Sequence, residues 1–176
     1  MVRENGKNMA KSAIPTRRSG KIEEAIIRLL TKRRQTLALA ESCTGGGIAH
    51  RLTNVPGASV VFLGGIVAYS NAAKQKFLGV RAKLIARHGA VSEAVARAMA
   101  EGAQEKFGAD FALAVTGIAG PTGGTKAKPV GTVFIALAGA PGTVVERKFN
   151  PSGRERFKDL TAQQALEMLR ERLARD

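Results

Sequence analysis

Residues Leu37 to Gly47 read LALAESCTGGG, and no other stretch restricts the fold as tightly. A short apolar run ends in Glu41, Ser42, Cys43 and Thr44, three glycines follow, and a helix-compatible segment opens at Ile48. Apolar residues halted by polar and glycine residues ahead of a helical pattern predict a strand over Thr36 to Ala40, a tight turn, and a short helix over Ile48 to Leu52. Such a turn presents a side chain at the strand's end beside the unpaired N–H groups of the next helix, where a nucleophile and an anion site can coincide. Ser42 is therefore the first candidate for chemistry.

The flanking sequence supplies the layers for such a strand. Ile22, Ala25, Ile26, Leu29 and Leu30 recur at helical spacing, which predicts an amphipathic helix over Lys21 to Arg34. Ser59 to Tyr69 is almost wholly apolar and reads as a buried strand with a bulge or bend at Gly64 and Gly65. Ser70 and Asn71 cap a helical turn carrying Ala72, Ala73, Lys74 and Phe77, and Arg81 to Arg87 forms another short helix closed by Gly89. Ser92 and Glu93 open a long helix whose apolar face runs from Val95 to Phe107. Phe111 to Thr116 is a third strand, and Thr132 to Ala138 with Thr143 to Phe149 form a hairpin across Gly139 to Gly142. A last helix, from about Gly153 to Leu173, buries Phe157, Leu160, Ala165, Leu166, Leu169 and Leu173. Strands alternating with helices and ending in a hairpin predict an α/β fold, a mixed sheet with helices on both faces.

Composition bounds the function. The 176 residues are enough for one domain with a sizeable core, and no apolar run approaches a membrane span or a signal peptide, so the default location is cytoplasmic. One cysteine excludes an internal disulfide framework, and two separated histidines, His50 and His88, offer no metal-ligand cluster, so neither a metal nor a cofactor is expected. The net charge of +14 invites a nucleic-acid reading, but with one tyrosine and no tryptophan there is no basic-aromatic alternation to stack bases. Residues 1–20 read instead as a flexible basic tail with weak polyanion affinity, followed by a domain over residues 21–176. No specific nucleic-acid or membrane partner is expected.

In sheets of this kind, ligands gather beyond the carboxyl ends of the parallel strands. Three such ends are legible: Ser42, Tyr69, and Thr116 with Gly117. Ser42 needs a base, yet neither histidine sits at a strand end and no Gly-x-Ser-x-Gly elbow is present. Lys74 stands one helical turn beyond Tyr69. It could accept a proton if desolvated, and Tyr69 could do so beside a cation. Spacing alone leaves open a half-buried aromatic at Tyr69 and a solvated charge at Lys74. Cys43 is the rival nucleophile or a small buried filler, and Glu41 either orients a polar partner or lies exposed. The loop from Gly117 through Gly120 to Gly124 fits neither standard nucleotide motif, but can offer N–H groups to a ligand or serve as a surface connection. Arg154 and Lys158, four apart at the start of the last helix, could hold a phosphate or be solvated charges.

Five segments in order, AESCTGG (Ala40 to Gly46), AYSNAAK (Ala68 to Lys74), GAVSE (Gly89 to Glu93), TGIAGPTGGT (Thr116 to Thr125) and KPVGTV (Lys128 to Val133), resemble the CinA C-terminal-domain family. Characterised members are nicotinamide mononucleotide deamidases. The resemblance runs from about Lys21 to the C-terminus and implies a three-layer α/β/α fold with a mostly parallel sheet of about five strands. It also implies hydrolysis of nicotinamide mononucleotide, the small-molecule substrate, to nicotinate mononucleotide and ammonia, a step of pyridine-nucleotide salvage. The family's serine, tyrosine and lysine fall on Ser42, Tyr69 and Lys74. The amides of Thr44, Gly45 and Gly46 would then stabilise the oxyanion. Asn71, Thr116, Gly117, Gly120 and Arg154 would complete the substrate site. Many members carry an additional N-terminal domain, so this chain resembles the stand-alone form. Family members are often dimers, which makes a homodimer the assembly to test, although no residue pattern in the sequence marks an interface. The competing function is a non-catalytic domain that binds a phosphorylated ligand.

Overall fold

Successive side chains of a strand point to opposite faces, so the alternation of large and small residues in LALAE, FALAVTG and TVFIALA gives each strand one bulky and one alanine-rich side. Both sides are covered in the computed structural model, which describes residues 21–175. The strands are β1 (Leu37–Glu41), β2 (Phe62–Val67), β3 (Phe111–Gly117), β4 (Thr132–Ala138) and β5 (Val144–Phe149), in the spatial order β2-β1-β3-β4-β5. β1 pairs in parallel with β2 and β3, while β3–β4 and β4–β5 are antiparallel, so every strand except β4 runs the same way.

The bulky face, with Leu37, Leu39, Leu113, Val115, Val133, Ile135 and Leu137, packs against helices α1 (Lys21–Arg33), α2 (Gly47–Thr53) and α6 (Arg154–Arg175). The alanine face, with Ala38, Ala40, Ala112, Ala114, Ala136 and Ala138, packs against α3 (Asn71–Leu78), α4 (Ala82–His88) and α5 (Glu93–Phe107). Small residues let that second layer come close. At Gly102 of α5 a Cβ would stand 1.9 Å from the Leu78 carbonyl oxygen, so α3 and α5 touch backbone to side. The expected three-layer α/β/α fold is the observed one.

Most predicted elements recur within a residue or two. Ser70 and Ser92 cap α3 and α5 by accepting from the N–H groups of Ala73 and Val95. The apolar run after Ser59 departs from expectation. It begins as a 3-10 turn, Ala58–Val60, and β2 that follows is a half-exposed edge strand, not a buried one. Its length and composition suit either place; only the strand order assigns it to the edge. The expected irregularity is present, as a register shift between Leu37 and Ala38 against Phe62 and Gly64. Leu160 and Phe107 are half-buried where burial was expected. The predicted basic tail over residues 1–20 lies outside the described residues.

Candidate active site

The carboxyl ends of β2, β1 and β3 lie side by side, so Tyr69, Ser42 and Thr116 arrive at one cleft, with Ser42 in the middle. The cleft encloses about 230 Å³. Asn71, Lys74, Gly117 and Arg154 also line it.

The turn that presents Ser42 is held by Glu41. Its carboxylate, 1% exposed, accepts from the Thr44 hydroxyl at 2.6 Å and from the backbone N–H groups of Gly46, Ile48 and Ala49 at 3.0, 3.1 and 2.8 Å. These are first-turn donors of α2 that would otherwise be unpaired, and the helix has no side-chain cap of its own. Gly45 and Gly46 take positive φ, 62° and 94°, a conformation that favours glycine and lets the chain double back onto Glu41. Gly45 N–H donates to the Ser42 carbonyl. The amides of Gly45 and Gly46, expected to face an oxyanion, are thus committed inside the turn. Those of Cys43 and Thr44 have no oxygen acceptor among the described residues and lie against the Cys43 sulfur. The Thr44 hydroxyl is likewise committed, to Glu41.

Lys74 reaches the same point from α3. It is 2% exposed, and its Nζ donates to Ser42 Oγ at 3.0 Å and to the Ala68 carbonyl at 2.8 Å. This is no solvated helix charge. Burial pulls the ammonium below the ordinary lysine range, because an uncompensated cation is poorly solvated there; the neighbouring Cys43 acts in the opposite sense. A neutral amine would keep one N–H on Ala68 and turn its lone pair to the serine proton, leaving the geometry unchanged. Burial pushes the Cys43 thiol up to about 12, with Glu41 adding to the effect and the Cys43 and Thr44 amides and Lys74 opposing it. The thiol therefore stays protonated near neutral pH, which leaves Ser42 as the candidate nucleophile.

Tyr69 is 59% exposed and belongs to the rim. Its hydroxyl accepts from the Arg154 guanidinium, whose other arm donates to the Gly120 carbonyl at 2.9 Å. Arg154 thereby ties α6 to the end of β2 and to the glycine-rich loop. Lys158, one turn on, lies over the Ser42 turn: a Cβ at Gly45 would stand 3.7 Å from its Nζ. The Thr116 hydroxyl donates to the Ala90 carbonyl at 2.9 Å and fastens the segment before α5 to the end of β3. That segment adds Ala90 and Val91 to the cleft, a contribution signalled in the sequence only by the GAVSE motif. Gly120 acts through its carbonyl, while Gly45 and Gly46 stay behind the lining.

The CinA C-terminal domain family model matches residues 19–173. A CinA-like protein from Parasynechococcus marenigrum (strain WH8102) is 51% identical over 154 residues, which cover 86% of this chain and 37% of that protein. One from Geobacter sulfurreducens is 53% identical over 152 residues, again 86% of this chain and 37% of the relative. The chain thus spans little more than a third of the curated relatives it matches. Among solved structures, competence damage-inducible protein A (ComA) from Klebsiella pneumoniae subsp. pneumoniae MGH 78578 superposes with a TM-score of 0.84 at 37% identity, covering 87% of this chain and 95% of that one. The competence/damage inducible protein CihA from Agrobacterium tumefaciens gives 0.79 at 42%, covering 85% and 94%.

Proposed function

The chain belongs to the CinA C-terminal-domain family, and within it we propose an amidohydrolase that converts nicotinamide mononucleotide to nicotinate mononucleotide and ammonia. The observation that carries this reading is the buried Lys74 amine 3.0 Å from Ser42 Oγ at the floor of an open cleft. A serine paired with a lysine whose protonation is disfavoured is a nucleophile with its base in place.

Ser42 Oγ attacks the carboxamide carbon while its proton passes to neutral Lys74. Negative charge gathers on the former carbonyl oxygen, where the Cys43 and Thr44 amides serve as donors. The resulting ammonium of Lys74 returns a proton to the leaving nitrogen, ammonia departs, and the nicotinoyl group stays esterified to Ser42. Water then attacks that ester with Lys74 again taking the proton, and Ser42 is released with its hydroxyl restored. Tyr69, with Arg154 donating to its oxygen, presents its hydroxyl to the substrate at the rim. The cleft is smaller than the roughly 300–1,000 Å³ of ordinary small-molecule sites, so the nicotinamide end enters and the ribose phosphate rests on the rim beside Arg154 and Lys158.

Ammonia release from nicotinamide mononucleotide by the wild type beside Ser42→Ala tests the proposal, with free nicotinamide as the control substrate. Release by the wild type alone, and only from the mononucleotide, is expected. A folded but silent wild type would leave a domain that merely binds a phosphorylated ligand; full activity in Ser42→Ala would remove the serine mechanism.

A further inference from the structure

Between α4 and α5 the chain passes along the cleft, and three successive carbonyls of this passage are each held by a side chain. The His88 carbonyl accepts from Lys128 Nζ at 2.8 Å, that of Gly89 from the Ser92 hydroxyl at 2.9 Å, and that of Ala90 from the Thr116 hydroxyl at 2.9 Å. Two of these donors are close at hand, since Ser92 caps α5 and Thr116 lines the cleft near the end of β3. Lys128 comes from the far side of the glycine-rich loop, 40 positions along the chain, and does not line the cleft itself. The arm that delivers it is braced. Lys128 N–H donates to Thr125 Oγ1 at 3.1 Å, and Thr125 N–H donates back to the Lys128 carbonyl at 2.9 Å. Arg147 of β5 donates to the neighbouring Ala127 carbonyl at 3.1 Å. Gly89 takes a φ of 76°, and a Cβ there would stand 3.6 Å from Lys128 Nζ, so the ammonium lies over the bend.

We propose that Lys128 is a positioning residue of the cleft: with Ser92 and Thr116 it presets Ala90 and Val91 as the wall against which the flat ring of the substrate lies. The identity of that ring rests on the amidohydrolase reading; the wall does not. An exposed lysine held in one geometry forfeits rotamer entropy, while one hydrogen bond at the surface adds little stability, so the arrangement suits fixing a position better than strengthening the fold. A wall fixed before the ligand arrives spares the complex the cost of ordering it. Without Lys128 the His88 carbonyl turns to water and the bend is freed, while Ser42 and Lys74 keep their contact. The loss then falls on binding and not on the chemical step.

Two measurements on the full chain test this. The first is the kinetics of ammonia release from nicotinamide mononucleotide by the wild type, Lys128→Met and Lys128→Arg. The second is calorimetric titration of the same compound into Ser42→Ala and into the double variant Ser42→Ala, Lys128→Met, which reads binding without turnover. Lys128→Met is expected to raise KM about tenfold with kcat within about twofold of the wild type, and the double variant to show the same rise in Kd. Lys128→Arg, whose guanidinium can still reach the carbonyl, should stay within about threefold of the wild type in KM. A merely structural lysine would lower Tm, and with it the active fraction and the apparent kcat, at unchanged KM; that pattern would overturn the inference. So would equal Kd values for the single and double variants, or an arginine no better than methionine. A silent wild type defeats the amidohydrolase reading alone, and the titration then decides, whereas absence of binding to Ser42→Ala defeats both.

Discussion

Glu41 and Lys74 are both buried, both ionisable, and both bonded within a few ångströms of Ser42, yet they are provisioned in opposite ways. The carboxylate receives four hydrogen bonds, three of them from the backbone of its own turn. The amine has two acceptors, one of which is the serine it faces. A buried carboxylate that accepts this many donors stabilises the fold around it. A buried amine with few partners does not, and its protonation is disfavoured by that same burial. The difference bears directly on the proposed chemistry: one neighbour of Ser42 makes its turn rigid, and the other is left short of solvation, which is what a proton-exchanging partner of a serine without a histidine requires.

The largest effect should come from breaking the amine's side of the comparison. In the proposed reaction Lys74→Ala removes the base and the acid of every step, and it is expected to lower kcat for ammonia release by about a thousandfold or more. Lys74→Arg should not rescue it, because a guanidinium does not give up its proton near neutrality. The pH profile carries the same information. If, as proposed, only the neutral amine accepts the serine proton, the wild-type rate is expected to rise with pH and level off once Lys74 is deprotonated. Because burial lowers that pKa, the plateau arrives below the ordinary lysine range. A residual rate in Lys74→Ala that kept the same rising limb would assign it to another group.

On the carboxylate's side the expected loss is stability. Glu41→Ala leaves the Thr44 hydroxyl and three amides without their acceptor, and at about 1–3 kcal/mol for each donor left dry, partly relieved by water, a total near 3 kcal/mol follows. Thermal denaturation would show it as a drop on the order of 6–12 °C for a chain of this size. Glu41→Gln retains one acceptor oxygen but turns an amide nitrogen toward N–H groups, so it should fall between the wild type and alanine. Equal Tm values for all three proteins would contradict the role assigned to the carboxylate.

The two groups also differ in how far sequence alone revealed them. Lys74 was reachable because strand ends gather ligands in such sheets and helical spacing set the lysine one turn past Tyr69, although burial, which decides between base and solvated charge, depends on α5 closing over α3 at Gly102. Glu41 stayed ambiguous, since a carboxylate that ends a strand faces either water or the turn, and the choice rests on glycine dihedrals that the letters GGG permit without imposing. The pairing of Tyr69 with Arg154 joins residues 85 positions apart and leaves no local trace. The edge position of β2 is equally non-local, because an apolar run looks the same in the middle of a sheet and at its border.

The smallest expected effect inverts the usual cost of a core substitution. In the folded chain the pKa of Lys74 is lowered relative to the unfolded chain, so below that lowered value the native state carries the full penalty of a buried cation. Between the folded and unfolded values the unfolded chain binds more protons, stability rises with pH, and above the ordinary lysine range the penalty is gone. Lys74→Met keeps most of the side-chain volume without the charge. It should therefore be more stable than the wild type at neutral pH by about 1 kcal/mol, a common gain when a functional polar group is removed from an interior. Chemical denaturation at a series of pH values would show this advantage shrinking as the solution becomes alkaline, once the wild-type amine is neutral in both states. An advantage that stays constant with pH would mean that packing, not the cost of holding a proton, separates the two proteins, and the amine would then lose its claim to be the poorly solvated partner of Ser42.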